Sequence, residues 1–169
     1  MADDGVFGVE IVTPEQSLFA GGATSVVLAT SDGDLTVLDG HTPLVGDVVP
    51  CEVKVEQPEG ALLRLAVHGG FLQVDTSPGA AEGLAEGDGP LPGLSTRVTV
   101  LAGVAEVAEE IDVPRAEQAR ETATQRLSDL GAGRGPVSEE VEEAVELVEA
   151  ESALARAELR LEVASSGAA

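Results

Sequence analysis

The stretch Arg97-Val-Thr-Val-Leu101-Ala-Gly-Val-Ala-Glu106-Val-Ala-Glu-Glu-Ile111-Asp112-Val-Pro114-Arg115-Ala116-Glu-Gln-Ala119 contains the one change of texture in the chain. Upstream of Ile111 the sequence is a succession of short Val-rich runs at residues 6–13, 24–30, 34–38, 52–56, 62–68, 71–74 and 97–101, with an eighth at 106–111. Asp32-Gly33, Asp39-Gly40, Gly60 and Gly69-Gly70 punctuate them, because Gly accepts positive φ and Asp bonds its own backbone. Short β-rich segments this closely spaced predict an antiparallel sandwich rather than alternating βα units.

Downstream the period changes. Asp112 is placed to cap a helix whose first turn holds Pro114, a residue without the N–H that a first turn leaves unbonded. Ala116, Ala119, Ala123, Leu127 and Leu130 form its apolar stripe, and Gly131-Ala-Gly133-Arg-Gly135-Pro136 ends it. Ser138 is placed to cap a second helix running to about Val163, so the two helices form an antiparallel hairpin. The expected fold is a β-sandwich of residues 1–110 followed by a helical hairpin of residues 111–169. A Gly- and Pro-rich stretch at 76–97, without apolar periodicity, predicts a long, loosely ordered loop between two strands.

Composition narrows the function. The 169 residues hold 31 Asp and Glu against 9 Lys and Arg, a net charge of -22, which repels a phosphate backbone and excludes nucleic acid as a partner. Aromatic residues are 2% of the chain, too few for a base- or sugar-stacking platform, whereas 43% hydrophobic residues suffice for a core. A lone Cys51 implies a reducing, cytoplasmic setting without structural disulfides, and its expected role is that of a small buried apolar residue. Acidic Asp3 and Asp4 do not fit a signal peptide, and no apolar run approaches the ~18 residues of a membrane span. Contact with a membrane is therefore expected only through a partner.

No catalytic constellation emerges. His41 and His68 are the only histidines, and no Cys-x-x-Cys, His-Glu-x-x-His or Gly-x-Ser-x-Gly is present. His68 reads as a strand residue with a hydrogen-bond partner, and the Gly131–Pro136 cluster as a turn, since it lacks the Gly-Lys-Ser/Thr ending of a phosphate loop. The second helix carries two apolar stripes on opposite sides. One consists of Val141, Val145, Val148, Ala155 and Leu159, the other of Leu147, Leu154 and Leu161. Such a helix has a partner for each stripe or two docking states.

The runs Val9-Glu-Ile-Val-Thr-Pro14-Glu15, Phe19-Ala-Gly21, Ser31-Asp-Gly-Asp34-Leu-Thr36-Val-Leu38-Asp-Gly40-His41-Thr-Pro43-Leu44, Val67-His-Gly-Gly70-Phe71-Leu-Gln-Val74, Val98-Thr-Val-Leu101 and Ile111-Asp-Val-Pro-Arg115-Ala116 resemble, in this order, the epsilon subunit of bacterial F-type ATP synthases. The resemblance implies a sandwich of about ten strands at the foot of the central stalk and a hairpin that regulates rotation. It implies a non-catalytic rotor subunit of a proton-translocating enzyme, peripheral on the cytoplasmic face of the cell membrane. Its partners would be the gamma subunit and the c ring, with transient contact to the catalytic alpha and beta subunits. Asp34, Thr36 and His41 match c-ring positions, although Thr36 stands where the family often has Gly. Ile111, Asp112, Arg115 and Ala116 look like the family's ATP-binding motif, with Glu106, Arg126, Arg156 and Arg160 at matching places and Thr122 where ATP-binding relatives often carry Arg. ATP would then be a regulatory ligand, with no cofactor required.

The residues alone support the same site: Arg115 and Arg126, three helical turns apart, share a face, as do Arg156 and Arg160, and antiparallel packing would bring both pairs to one anion. The competing reading pairs these arginines with the abundant Glu. Two other classes remain alternatives at this level: an acidic β-sandwich scaffold that dimerises through its hairpin, and a free-standing nucleotide-binding enzyme.

Overall fold

A computed structural model describes residues 5–77, 96–132 and 140–166. It divides into two compact units, Met1–Ala108 and Glu109–Ala169.

The first unit holds ten strands: β1 (Phe7–Val12), β2 (Ser17–Ala23), β3 (Ser25–Thr30), β4 (Gly33–Val37), β5 (Leu44–Val48), β6 (Cys51–Glu56), β7 (Leu62–Val67), β8 (Gly70–Asp75), β9 (Arg97–Ala102) and β10 (Ala105–Val107). They pair in the order β10-β7-β6-β3-β5-β8-β9-β1-β2, with β4 on the other edge of β3. The path is nearly cut in the middle, where β3 and β5 share the single pair Thr30–Val48. The cut leaves two five-stranded layers closing on one core, and every pairing is antiparallel except β1 with β9.

Alternation specifies which face is inside, because successive side chains of a strand point to opposite faces. Phe7, Val9 and Ile11 on β1, Val26 and Leu28 on β3, Val53 and Val55 on β6, Leu65 and Val67 on β7, Leu72 and Val74 on β8, and Val98 and Val100 on β9 form one buried cluster. A one-residue slip in any of these strands would turn that set to solvent, so burial fixes register as well as stability. The eight expected runs all appear as strands, the last shortened to Ala105–Val107 and followed by a 3-10 turn at Ala108–Glu110. β2 and β5 were not expected from the sequence. Gly21 and Gly22 dilute β2, and Gly46 with Asp47 dilutes β5, so both strands depend on their neighbours for pairing.

In the second unit α1 (Val113–Ala132) and α2 (Glu140–Ser166) pack against each other. The Asp112 carboxylate accepts the Arg115 N–H at 3.1 Å and its carbonyl accepts the Ala116 N–H at 2.9 Å, which is the expected cap. Arg126 and Leu130 lie against Glu146 and Glu149, while Ala119 and Ala123 lie against Ala153, so the helices run antiparallel. Ala116 and Ala123 are buried on α1, as are Ala150 and Ala157 on α2, with Leu154 and Leu161 half-buried beside them. Of the two stripes of α2, the second therefore lies beside the seam through Leu154 and Leu161, while its Leu147 is 41% exposed. Val145 and Val148, on the opposite side, are 54% and 60% exposed. The expected Ser138 cap, the Gly133–Gly135 turn, the Val141 side chain and most of the 76–97 loop lie outside the described residues.

Candidate functional site

The sandwich presents two surfaces with distinct chemistry. The first is apolar. On β1, β8 and β9 the residues that face outward at one end are Val12, Phe71 and Leu101, aligned by the register Val12–Leu101 and Leu101–Phe71. Phe71 is 57% and Leu101 49% exposed. With Thr13, Pro14, Gly69, Gly70 and Gly103 they line a groove of about 710 Å³. Gly70 makes its floor possible, because a Cβ there would meet the Leu101 carbonyl oxygen at 2.2 Å. Exposed apolar side chains gathered on one face mark a docking surface. Sequence reading did not single it out, although the signal is visible: Ile11-Val12, Phe71-Leu72 and Val100-Leu101 are adjacent apolar pairs in strands that otherwise alternate.

The second surface is polar and lies on the β4 edge. Asp34 and Thr36 point outward from β4 and are exposed, while Leu35 and Val37 point inward. Immediately beyond β4 the chain turns through Gly40, whose φ of 74° suits a residue without Cβ. His41 follows, with its N–H bonded to the Leu38 carbonyl at 3.1 Å and its Nδ1 2.8 Å from the Thr42 carbonyl. Thr96, fully buried, fixes the turn by accepting the Gly40 N–H on its hydroxyl at 2.9 Å. Asp34 and Thr36 thus share the outward face of β4, and His41 follows its end on a turn that Thr96 positions.

The residues selected for the anion site fall in different units. Glu106 belongs to β10, where its carboxylate lies 3.9 Å from Nε2 of the buried His68. Ile111 is buried just ahead of α1, Asp112 is occupied as the helix cap, and Ala116 is buried in the hairpin seam. Arg115 and Arg126 line one 350 Å³ pocket of the hairpin together with Thr122 and Ala153. Arg156 and Arg160 lie outside that lining; they follow Ala153 on the same side of α2, in the direction of the α1 N-terminus that carries Arg115.

Charge pairing differs between the units. In the sandwich, Lys54 and Arg64 both meet Glu52 at 3.0 Å, and Arg97 meets Glu10. In the hairpin, Arg115, Arg126 and Arg156 form no ion pair among the described residues. Cys51 is only half-buried; its sulfur accepts the Ala29 N–H at 3.4 Å, and desolvation raises its thiol pKa. Among the described residues no His, Cys, Asp and Glu cluster could hold a metal ion, and no helix is long and apolar enough to cross a membrane.

A sandwich with an apolar groove and a polar edge, joined to a helical hairpin, defines a docking module of a larger assembly. Residues 6–78 match the family described as ATP synthase, Delta/Epsilon chain, beta-sandwich domain, and residues 109–165 match ATP synthase, Delta/Epsilon chain, long alpha-helix domain. Similar proteins include the ATP synthase epsilon chain of Desulforudis audaxviator, 39% identical over 71% of this chain and 73% of that one. The ATP synthase epsilon chain of Symbiobacterium thermophilum is 32% identical over 98% of this chain and 96% of its own. The same fold is found in a solved chain of the Euglena gracilis mitochondrial ATP synthase, OSCP/F1/c-ring in rotational state 1, with TM-score 0.66, 19% identity, and coverage of 94% and 81% of the two chains. The chain belongs to the ATP synthase delta/epsilon chain family. It is an epsilon-type, non-catalytic component of the central stalk of an ATP synthase, a membrane-associated complex.

Proposed function

We propose that the sandwich links the gamma subunit to the c ring so that both turn together, and that the hairpin regulates ATP hydrolysis. The observation that carries this reading is the separation of two surfaces on one rigid core. The Val12–Phe71–Leu101 groove suits a permanent, largely apolar interface and is assigned to gamma. The Asp34, Thr36 and His41 edge is assigned to the polar loops of the c ring. A torque-transmitting part needs stiffness rather than chemistry, and two five-stranded layers closed on one core supply it. The subunit sits peripherally on the cytoplasmic face of the membrane through these contacts, and proton translocation remains with the membrane sector.

Regulatory ATP binding is assigned to Arg115 and Arg126, joined by Arg156 and Arg160. The planar guanidinium groups of Arg115, Arg126 and Arg156, which form no ion pair among the described residues, suit phosphate oxygens. Removing residues 111–169 from the assembled enzyme tests the regulatory part: hydrolysis rises while synthesis is retained, and unchanged hydrolysis refutes regulation. Calorimetry on the full chain tests the ligand, because millimolar ATP binds and Arg115→Ala weakens it. No heat at that concentration removes the site.

A further inference from the structure

The side of α2 turned away from α1 is not used by any role assigned so far. Val145 and Val148 lie there, exposed by 54% and 60%, with exposed Ala155 and half-buried Leu159 further along. At 100° per residue these positions fall within one narrow arc, spanning about 21 Å at 1.5 Å per residue. One flank of the arc is formed by Glu151, Glu158 and Glu162, and the other by Arg156 and then Glu149. Over its length α2 has eight Glu and two Arg. Among the described residues, Glu149, Glu151 and Glu158 form no ion pair.

From this charge pattern we infer that the Val145–Val148 face of α2 is a docking surface for a basic amphipathic helix of a partner protein, whose apolar residues cover the valines and whose Lys or Arg side chains meet Glu149, Glu151 and Glu158. Helix-in-groove recognition uses apolar anchors at one-turn spacing, which Val145 and Val148 supply. Opposite charge on the rim selects the partner, since like charges across an interface are repelled. The same rule disfavours a second copy of this chain, because two such faces would bring glutamates against glutamates. It equally disfavours an acidic partner surface.

The test uses the full chain and two synthetic amphipathic helices of the same apolar pattern, one of Leu and Lys, the other of Leu and Glu, followed by isotope-edited NMR and calorimetry. The Leu/Lys peptide binds and shifts the amides of 145–159, and the Leu/Glu peptide does not bind. Val145→Ser with Val148→Ser weakens the Leu/Lys peptide at least tenfold while the charge stays the same. Val145→Ala with Val148→Ala, which favours the helix, weakens it by a smaller factor, and circular dichroism confirms retained helicity. Binding that survives both double substitutions would overturn the proposal, since charge alone would then be holding the peptide. Equal binding of the Leu/Glu peptide would overturn it as well, as would self-association through residues 145–159 in sedimentation. The calorimetry with ATP above does not use Val145 or Val148, so the two readings fail separately.

Discussion

Replacing Phe71 by Ala separates docking from folding. The ring is 57% exposed in the free chain, so a partner seated in the groove gains most of its surface. An aromatic side chain buries about 200 Å² when fully covered, so roughly 110 Å² remains for the partner to cover. At about 25 cal/mol per Å² this is about 3 kcal/mol, or a loss of about 100-fold in affinity for gamma. Leu72, the inward neighbour, is unaffected and fully buried, so the melting temperature moves by only a few degrees. Titration of the purified chain with gamma, by calorimetry and with a parallel thermal melt, measures both quantities. A loss below about threefold with the fold intact would refute the assignment of the groove. A melting-temperature collapse matching the loss of binding would make Phe71 a core residue instead.

Three further outcomes follow from the same geometry. Gly70→Ala places a Cβ 2.2 Å from the Leu101 carbonyl oxygen and costs about 3 kcal/mol by chemical denaturation, whereas Gly103→Ala, with open space around it, is tolerated. Thr96→Val keeps the shape and leaves the Gly40 N–H without its acceptor, so it costs about 1 kcal/mol and lowers c-ring coupling together with His41→Ala; a coupling defect in His41→Ala alone would show that Thr96 does not position the turn. Cys51 has a folded-state pKa raised above the ordinary 9.0, so its contribution is complete below that value and declines as pH rises through it; Cys51→Ala flattens the alkaline limb of stability against pH, and an unchanged limb contradicts the burial argument.

The sandwich was legible wherever one strand carried its own alternation. Phe7, Val9 and Ile11 specify β1 without help, as Val53 and Val55 do for β6. β2 and β5 were not, because Ser17, Gly21, Gly22, Gly46 and Asp47 provide little apolar surface and pairing with β1 and β8 decides their conformation. The polar edge was reached by resemblance, which selected Asp34, Thr36 and His41, whereas buried Thr96 lies 56 residues from its Gly40 partner and only the folded chain joins them. The groove is hidden for the same reason: Val12, Phe71 and Leu101 meet only after three strands pair. On α2 both stripes were visible, but which one docks was not. Small Ala116 and Ala123 on α1 leave room for the Leu-bearing side, and that packing makes the choice.

In the proposed role the chain mechanically joins gamma to the c ring. Membranes carrying its ATP synthase, depleted of this subunit and then resupplied with the purified chain, test it through ATP-driven proton pumping. The chain is expected to restore pumping to the level of untreated membranes, and Phe71→Ala and His41→Ala each to restore less despite normal folding. Full pumping by depleted membranes, or equal restoration by both variants, would contradict it.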